Sequence, residues 1–366
     1  LVYLYHDMIQ NLNEILVYKK LNSKKKIKKK ITFDDLIKLS KKCRSPIFQD
    51  LKIYMILTVK WHFDYLAKTR KNPTNLNLSL RFWFNILSIL KEFENLGWIT
   101  KNNKKNLKLD IWSNTRKAFN FMWPKNTSKH KYYSSKVMVD LRIDQLVKYI
   151  SKNKKFLNNK IILDSGCGPG RYVESLLRFK PKEIIGIDSG KDIIKSNQER
   201  FKKFKNIKFI RSKFDKLNFK DESFDLLIST GVLHHTSTSI PFMIKDHARV
   251  IKKEGHFFVF IVGQGGQELD LWKFCRRVMI DVNIKYAFKT LGNVVSPLRL
   301  QGILDHSYGE YKSTSRKYFE KILKKNFSKI KKISGVYGAD VTPETFKGDR
   351  YFKKRFGSGN LRYLCI

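Results

Sequence analysis

The sequence predicts an α/β protein with a mostly parallel sheet of seven strands, one antiparallel edge strand and a mainly helical N-terminal domain. Two observations support this fold class. From Lys160 onward, apolar runs of strand length alternate with helical stretches, and the first of these runs leads into a glycine-rich turn. Strands that alternate with helices form parallel sheets, because each crossover helix returns the chain to the same end of the sheet.

The strand candidates are short apolar runs, and two helix candidates have apolar residues at three- and four-residue spacing. A last pair of runs is predicted to form antiparallel strands at the edge of the sheet. In chain order, the predicted strands of the main sheet are Ile161–Leu163, Glu183–Ile187, Ile207–Ile210, Asp225–Ser229 and His256–Val262. The predicted helices are Val137–Ile150 and Ser315–Lys325. The predicted edge pair is Lys329–Val336 with Leu361–Ile366.

The N-terminal domain, residues 1–115, is predicted to be helical over Phe33–Lys42, Ile47–Lys68 and Leu78–Leu96, which have helical spacing of apolar residues. After the last helix, a polar KNNKKN turn separates two short apolar stretches at 98–100 and 107–109. A helix followed by a hairpin is how a winged-helix module ends, and its basic tip could contact phosphates. We interpret the region as a helical cap over a substrate cleft and keep the winged-helix-like module as the alternative.

Composition limits the classes of function. The chain has 366 residues, of which 42% are hydrophobic, so it can fold into two domains with real cores. No apolar run approaches the roughly 18 residues of a membrane helix. The four cysteines lack metal-ligand spacing, which predicts a cytoplasmic protein with no metal site and no disulfide framework. A net charge of +43 favours anionic partners such as RNA, anionic lipid or a phosphorylated substrate.

The strongest chemical signal is the turn after the first strand. The strand ends at Asp164, and Gly166, Gly168 and Gly170 follow at alternate positions. Glycines let a backbone turn sharply and approach a ligand closely. The spacing differs from the dinucleotide fingerprint G-x-G-x-x-G, because Arg171 occupies the third glycine position. The sequence also lacks the G-x-x-x-x-G-K-[ST] loop, so it does not indicate hydrolysis of nucleoside triphosphates.

This turn resembles motif I, D-x-G-x-G-x-G, of the class I S-adenosylmethionine-dependent methyltransferases. Four further motifs follow in the family's order. The second strand ends at Asp188, the third leads to Phe214 and Asp215, the fourth leads through Thr230 to a His-His-Thr loop, and Gly255 precedes the fifth. Five motifs in the right order are far more specific than any one of them. The resemblance implies a Rossmann-like fold and S-adenosylmethionine as the cofactor.

The resemblance also implies roles for individual residues. Asp188 would bind both ribose hydroxyls, as acids at this strand end do in dinucleotide sites. Asp164 would hold the glycine loop or a water near the methionine amino group, and Phe214 and Asp215 would flank the adenine. The implied cofactor-binding residues are Asp164, Gly166, Cys167, Gly168, Gly170, Asp188, Ser189, Phe214, Asp215 and Thr230.

His234 and His235 are the candidate catalytic residues. They follow the fourth strand, at the end of the sheet where open α/β folds bind ligands. The ordinary pKa of imidazole suits removal of a proton from a hydroxyl or an acidic carbon. The alternative is that one of them hydrogen-bonds the backbone and shapes the loop. The Gly-Val-Leu-His-His-Thr loop resembles the small-molecule, type 11-like branch of the family, and the Asn/Asp-Pro-Pro-aromatic tetrapeptide of nucleobase amino-methylating enzymes is absent from the corresponding stretch.

The acceptor pocket is predicted to come from segments outside the sheet. The first is an aromatic cluster before it, and the second is an insertion at 264–310. The residues singled out are Phe121, Trp123, Tyr132 and Tyr133 in the cluster, and Trp272, Arg276, Arg277, His306 and Tyr308 in the insertion.

The sequence thus predicts two domains, 1–115 and 116–366, with the insertion at 264–310 in the second. The predicted function is methyl transfer to oxygen or carbon of a small acceptor of anionic or lipid-linked character. One alternative is an RNA-directed methyltransferase that uses the basic N-terminal domain as a docking module. The other is a protein that binds the cofactor without catalysis. The sequence leaves the oligomeric state open.

Overall fold

The computed structural model describes residues 30–43, 45, 47–69, 76–97, 99, 111–125, 136–150, 156–335, 342, 344 and 348–366. The chain forms two compact units, Leu1–Leu107 with Arg277–Val282, and Lys108–Arg276 with Asn283–Ile366. Apart from Ile99, the predicted wing hairpin lies outside the described residues, as do Tyr132 and Tyr133.

The described residues of the first unit form three helices at the positions that the apolar spacing predicts. The first of them begins with a capping box, in which the Thr32 hydroxyl accepts the Asp35 N–H at 3.3 Å and the Asp35 carboxylate accepts the Thr32 N–H at 3.0 Å. The Trp83 indole N–H donates to the Thr58 hydroxyl at 2.8 Å and links the second helix to the third. The helices are α1 (Phe33–Lys42), α2 (Ile47–Lys68) and α3 (Asn77–Asn95).

The second unit alternates strands and helices. Across the described ranges of both units, no helix is long and apolar enough to span a membrane. The strands are β1 (Ile161–Ser165), β2 (Glu183–Asp188), β3 (Ile207–Arg211), β4 (Phe224–Thr230), β5 (Ile251–Val262), β6 (Ile330–Lys332) and β7 (Asn360–Cys365). The helices are α4 (Ile111–Met122), α5 (Lys136–Ile150), α6 (Arg171–Leu176), α7 (Lys191–Phe201), α8 (Ile240–Arg249), α9 (Gln267–Met279), α10 (Ile284–Gly292), α11 (Pro297–Tyr308), α12 (Arg316–Asn326) and α13 (Arg350–Phe356). The last residues of α9 belong to the first unit.

The seven strands form one sheet in the order β3-β2-β1-β4-β5-β7-β6. The first five are parallel, and β7 pairs antiparallel with both β5 and β6. The predicted fold class is confirmed, including the antiparallel edge, although β6 is shorter than the predicted run. The strand order reverses between β1 and β4, and this switch point opens a crevice at the carboxyl ends of the strands.

Both faces of the sheet are buried, which explains the uninterrupted apolar runs of its central strands. Neighbouring residues on one strand enter opposite cores. Leu163 of β1 and Phe257 of β5 lie in the core that also contains Phe319 of α12. Ile162 and Phe258 lie in the core on the other face. The sheet is therefore held rigidly from both sides, and the loops at its carboxyl edge are fixed relative to one another.

Candidate active site

The glycine loop after β1 follows a tightly constrained path. The N–H groups of Gly166 and Cys167 both donate to the Ile187 carbonyl, each at 2.9 Å. Gly166 has φ +82°, and a Cβ there would lie 2.3 Å from Cγ1 of Val232. Gly168 has φ +50°, but a Cβ there would meet no atom within 4 Å. Gly166 is thus needed for packing, whereas Gly168 presents open backbone to the crevice.

Asp188, at the end of β2, ties this loop to its own strand. Its Oδ2 accepts the Gly168 N–H at 3.1 Å, and its Oδ1 accepts the Gly190 N–H at 2.9 Å. Burial raises the pKa of Asp188, and the backbone N–H groups oppose that rise. Each carboxylate oxygen can accept a second hydrogen bond. Asp188 can therefore hold the loop and still bind two further donors.

Asp164, at the end of β1, is 2% exposed. Its Oδ2 has no hydrogen-bond partner among the described residues. Burial, together with the nearby charge of Asp188, raises the pKa of Asp164 to about 7. A buried carboxyl with an unsatisfied oxygen is costly in the ionised form, so a cationic group beside it would be strongly favoured.

Helix α7 supports the glycine loop through two side chains that the sequence analysis missed. The Asn197 amide donates to the Gly168 carbonyl at 2.7 Å, and the Arg200 guanidinium donates to the Pro169 carbonyl. The two lie three residues apart, so they share one face of the helix. The sequence signal that could have identified them is a polar pair at this spacing, on an otherwise apolar face of the helix that follows Asp188.

The histidine loop follows β4 and forms a short 3₁₀ turn, Leu233–His235. His234 is 2% exposed, and its Nδ1 accepts the Val262 N–H at 3.4 Å. His235 is half-buried, and its Nδ1 pairs with the Glu310 carbonyl at 2.7 Å. The ring centroids lie 4.2 Å apart. Burial lowers the pKa of both imidazoles, that of His234 well below its usual range.

Glu310 belongs to a segment after α11 that fixes the histidine loop; we call residues 308–314 the clasp. The Thr115 hydroxyl accepts a hydrogen bond from the Glu310 N–H at 3.0 Å and donates one to the Tyr308 carbonyl at 3.3 Å. The Glu310 carboxylate forms an ion pair with Arg276 at 3.2 Å. The Lys312 N–H donates to the carbonyl of His234 at 2.8 Å. Three parts of the chain, α4, α9 and the clasp, thereby set the position of the histidines.

Aromatic side chains form the wall around the histidines. The Phe119 ring meets the His235 ring edge-on at 4.9 Å, and Trp272 stacks on His306 at 4.1 Å. The Arg276 guanidinium lies 4.0 Å from the centroid of Tyr311. Such a wall gives large, rigid contact surfaces for an apolar or aromatic ligand body.

The glycine loop, Asp188, the histidines and the aromatic wall line one continuous cavity of about 620 Å³. This volume lies within the range of small-molecule and cofactor sites. The sequence-predicted site residues that line it are Gly166, Cys167, Gly168, Asp188, Ser189, Phe214, Thr230, His234 and His235.

Three other predicted residues do not line the cavity. Asp164 lies buried behind the loop, and Gly170 contacts α7. The Asp215 carboxylate accepts a hydrogen bond from the Thr238 hydroxyl at 2.7 Å. From the predicted acceptor segments, Trp123, Trp272 and His306 line the cavity, whereas Phe121, Arg276, Arg277 and Tyr308 do not. Arg116, Arg142 and Arg362, which the prediction did not include, are also part of the lining.

Residues 163–259 match a family model described as a methyltransferase domain. The tRNA U34 carboxymethyltransferase of Helicobacter pylori (strain P12) is 31% identical over 136 residues, which cover 34% of this chain and 51% of that protein. The uncharacterized methyltransferase YcgJ of Bacillus subtilis (strain 168) is 31% identical over 102 residues, covering 27% of this chain and 39% of that protein. The chain thus spans about half the length, or less, of these relatives.

Among solved structures, one similar protein is the putative methyltransferase in a complex with the Trm112 methyltransferase activator of Haloferax volcanii. The two sequences are 14% identical, and the match covers 68% of this chain and 96% of that chain with a TM-score of 0.42.

Proposed function

We propose that the protein, whose residues 163–259 match a methyltransferase domain, transfers a methyl group from S-adenosylmethionine to a small acceptor held inside the cavity. The observation that carries this proposal is the continuity of the cavity. Its lining includes the glycine loop and Asp188 as well as the histidines and Tyr311 of the clasp. A cofactor bound against the glycine loop and an acceptor held beside the histidines would meet in one continuous space.

The residues present fit this cofactor. Asp188 retains one acceptor position on each carboxylate oxygen, which suits the two neighbouring hydroxyls of a ribose. Gly168 offers backbone with no Cβ in the way. Asp164 is buried outside the lining, and the positive charge of the cofactor's amino group in the cavity would favour ionisation of its carboxyl. When bound, the sulfonium group supplies an already activated methyl.

The chain's own contribution is then mainly positioning. An activated donor needs an acceptor atom aligned and held close, and alignment can supply most of the rate enhancement. The aromatic wall and the clasp would hold the acceptor body, and the half-buried His235 would take up a proton that leaves the acceptor.

An RNA acceptor is the second candidate. It is favoured by the tRNA U34 carboxymethyltransferases among the relatives and by the net charge of +43. A polyanion would be attracted by such a charge, with affinity that falls steeply as salt rises.

Methyl-labelled S-adenosylmethionine, added with the protein to a host-cell extract, separates the two candidates. Label in low-molecular-weight or lipid-extractable products is the expected result. Label in RNase-sensitive material would overturn the small-acceptor proposal in favour of RNA. Cofactor binding in calorimetry with no labelled product in any fraction would instead indicate a protein that binds the cofactor without catalysis.

A further inference from the structure

We propose that the acceptor group is a hydroxyl, recognised by His234 and His235 through opposite hydrogen-bonding roles. His235 accepts the hydroxyl proton at Nε2, and His234 donates its Nε2–H to the hydroxyl oxygen. This inference rests on the proposed function and narrows it to O-methylation of an alcohol or phenol.

The protonation of His235 follows from its backbone partner. Its Nδ1 lies 2.7 Å from the Glu310 carbonyl oxygen, and a carbonyl oxygen can only accept. Nδ1 must therefore carry a hydrogen and donate it. In a neutral imidazole the other nitrogen then has a free lone pair. Nε2 of His235 is accordingly the acceptor.

The protonation of His234 is the reverse. Its Nδ1 faces the Val262 backbone N–H at 3.4 Å, and a backbone N–H can only donate. Nδ1 must therefore present its lone pair, and the hydrogen of the neutral ring lies on Nε2. Within the described parts of the chain, neither Nε2 atom has a hydrogen-bond partner. Both rings line the cavity, with centroids 4.2 Å apart.

Both rings remain neutral near pH 7. Burial is the main cause of the lowered pKa in each, and the neighbouring His235 lowers that of His234 further. Of the groups that face His235, Asp305 and the Glu310 carbonyl raise its pKa, whereas Arg276 and His306 lower it. The two cavity-lining rings therefore offer one donor and one acceptor near pH 7.

Only some acceptor groups match a donor beside an acceptor. A carboxylate can accept but not donate, an ammonium can donate but not accept, and an aromatic carbon does neither well. A neutral amine could do both, but its single lone pair would be occupied by the hydrogen bond from His234. A hydroxyl oxygen has two lone pairs, so one can accept from His234 while the other attacks.

The transfer step balances with these groups. The hydroxyl oxygen forms its bond to the methyl carbon while the bond from that carbon to sulfur breaks and leaves its electron pair on sulfur. The hydroxyl proton passes to Nε2 of His235. The resulting imidazolium, stabilised by the Glu310 carbonyl on Nδ1–H, returns its proton to solvent after the product leaves.

The product chemistry tests the proposal. Labelled small products from the extract are heated with hydriodic acid. This treatment converts the methyl group of a methyl ether into volatile methyl iodide under conditions that leave N- and C-methyl groups intact. A parallel sample is treated with mild alkali. Volatile, alkali-stable label is expected. Non-volatile label, or label lost in alkali as from a methyl ester, overturns the hydroxyl inference while leaving the proposed function standing. Label confined to RNA overturns the proposed function itself.

Variants test the separate roles of the two histidines, with the extract fraction that accepts label as substrate. His235→Gln is expected to lower kcat by about 10²- to 10⁴-fold. It is also expected to remove the acid limb of the pH profile, with unchanged cofactor dissociation constant. His234→Gln keeps a donor and should lose far less than His234→Phe. His256→Gln, a buried histidine outside the cavity lining, is the matched control and should keep the acid limb.

Full turnover by His235→Gln at saturating acceptor would overturn the role of His235. Equal losses in His234→Gln and His234→Phe would overturn the donor role of His234. Should either histidine variant fail to bind the cofactor, the product chemistry and the wild-type pH profile decide alone. That profile is expected to stay flat to below the usual pKa of histidine, because burial lowers the pKa of His235.

Discussion

Gly168 allows a direct test of the cofactor site, because the structure separates its conformational role from any role in packing. Its φ is +50°, and a Cβ added there would meet no protein atom within 4 Å. Gly168→Ala should therefore cost only the left-handed backbone, about 1–2 kcal/mol of the free energy of unfolding. The added methyl would instead protrude into the cavity that Gly168 lines. We expect affinity for S-adenosylmethionine in calorimetry to fall by at least about tenfold, or 1.4 kcal/mol.

Gly348→Ala is the matched control. Gly348 has φ +87°, also has no atom within 4 Å of an added Cβ, and does not line the cavity. Both variants should show similar losses in chemical denaturation, and only Gly168→Ala should lose cofactor affinity. Wild-type affinity in Gly168→Ala, or an equal loss in Gly348→Ala, would refute the placement of the cofactor against the glycine loop.

Three further predictions concern the polar groups of the site. Asp188→Asn places an amide N–H₂ against one of two backbone N–H groups, so cofactor binding should weaken by about 1.5–3 kcal/mol. An unchanged dissociation constant in calorimetry would remove Asp188 from the site. The pKa of Asp164 rises from 3.8 to about 7 on folding, so its contribution to stability is present below pH 3.8 and lost as the pH rises through 7. In the absence of cofactor, the free energy of unfolding of Asp164→Asn should therefore exceed that of the wild type at pH 8 by up to about 4 kcal/mol. The difference should shrink towards pH 4, and a difference that does not depend on pH would contradict this reasoning. Thr115→Val leaves the Glu310 N–H without its acceptor, so kcat should fall while cofactor affinity stays unchanged. Thr115→Ser retains the hydroxyl and should keep wild-type kcat. An equal loss of kcat in both variants would rule out the hydroxyl as the cause.

The sequence was sufficient for most of the sheet because the signals there are local. A buried parallel strand is a continuous apolar run, and the acid or glycine at its end is adjacent in sequence, so Asp164, Gly166 and Asp188 could be placed by reading along the chain. The pairing of β6 with β7 could be predicted as well, since both runs come last and only the free edge was left for them. The end of β6 at Lys332 could not, because it depends on pairing with residues of β7 that are distant in sequence.

The surroundings of the histidines could not be predicted, because the contacts that form them are distant in sequence. The Thr115 hydroxyl reaches Glu310 across 195 positions, and the His235 ring reaches the Glu310 carbonyl across 75. Nothing in the composition of the insertion marks Glu310 as different from other acids. The prediction therefore placed Arg276 in the acceptor pocket, whereas its guanidinium is paired with Glu310.

The groups that fix the two histidine tautomers both lie beyond residues 163–259, the part of the chain that matches the methyltransferase family. The Val262 N–H lies at the end of β5, and the Glu310 carbonyl lies in the clasp. The glycine loop and Asp188 can bind the cofactor without either contact. If the clasp moved, His235 would lose the Glu310 carbonyl that accepts its Nδ1–H and could adopt the other tautomer. The pair would then no longer match a hydroxyl. On this proposal, contacts beyond residues 163–259 set the choice of acceptor, and they can change without altering the cofactor site.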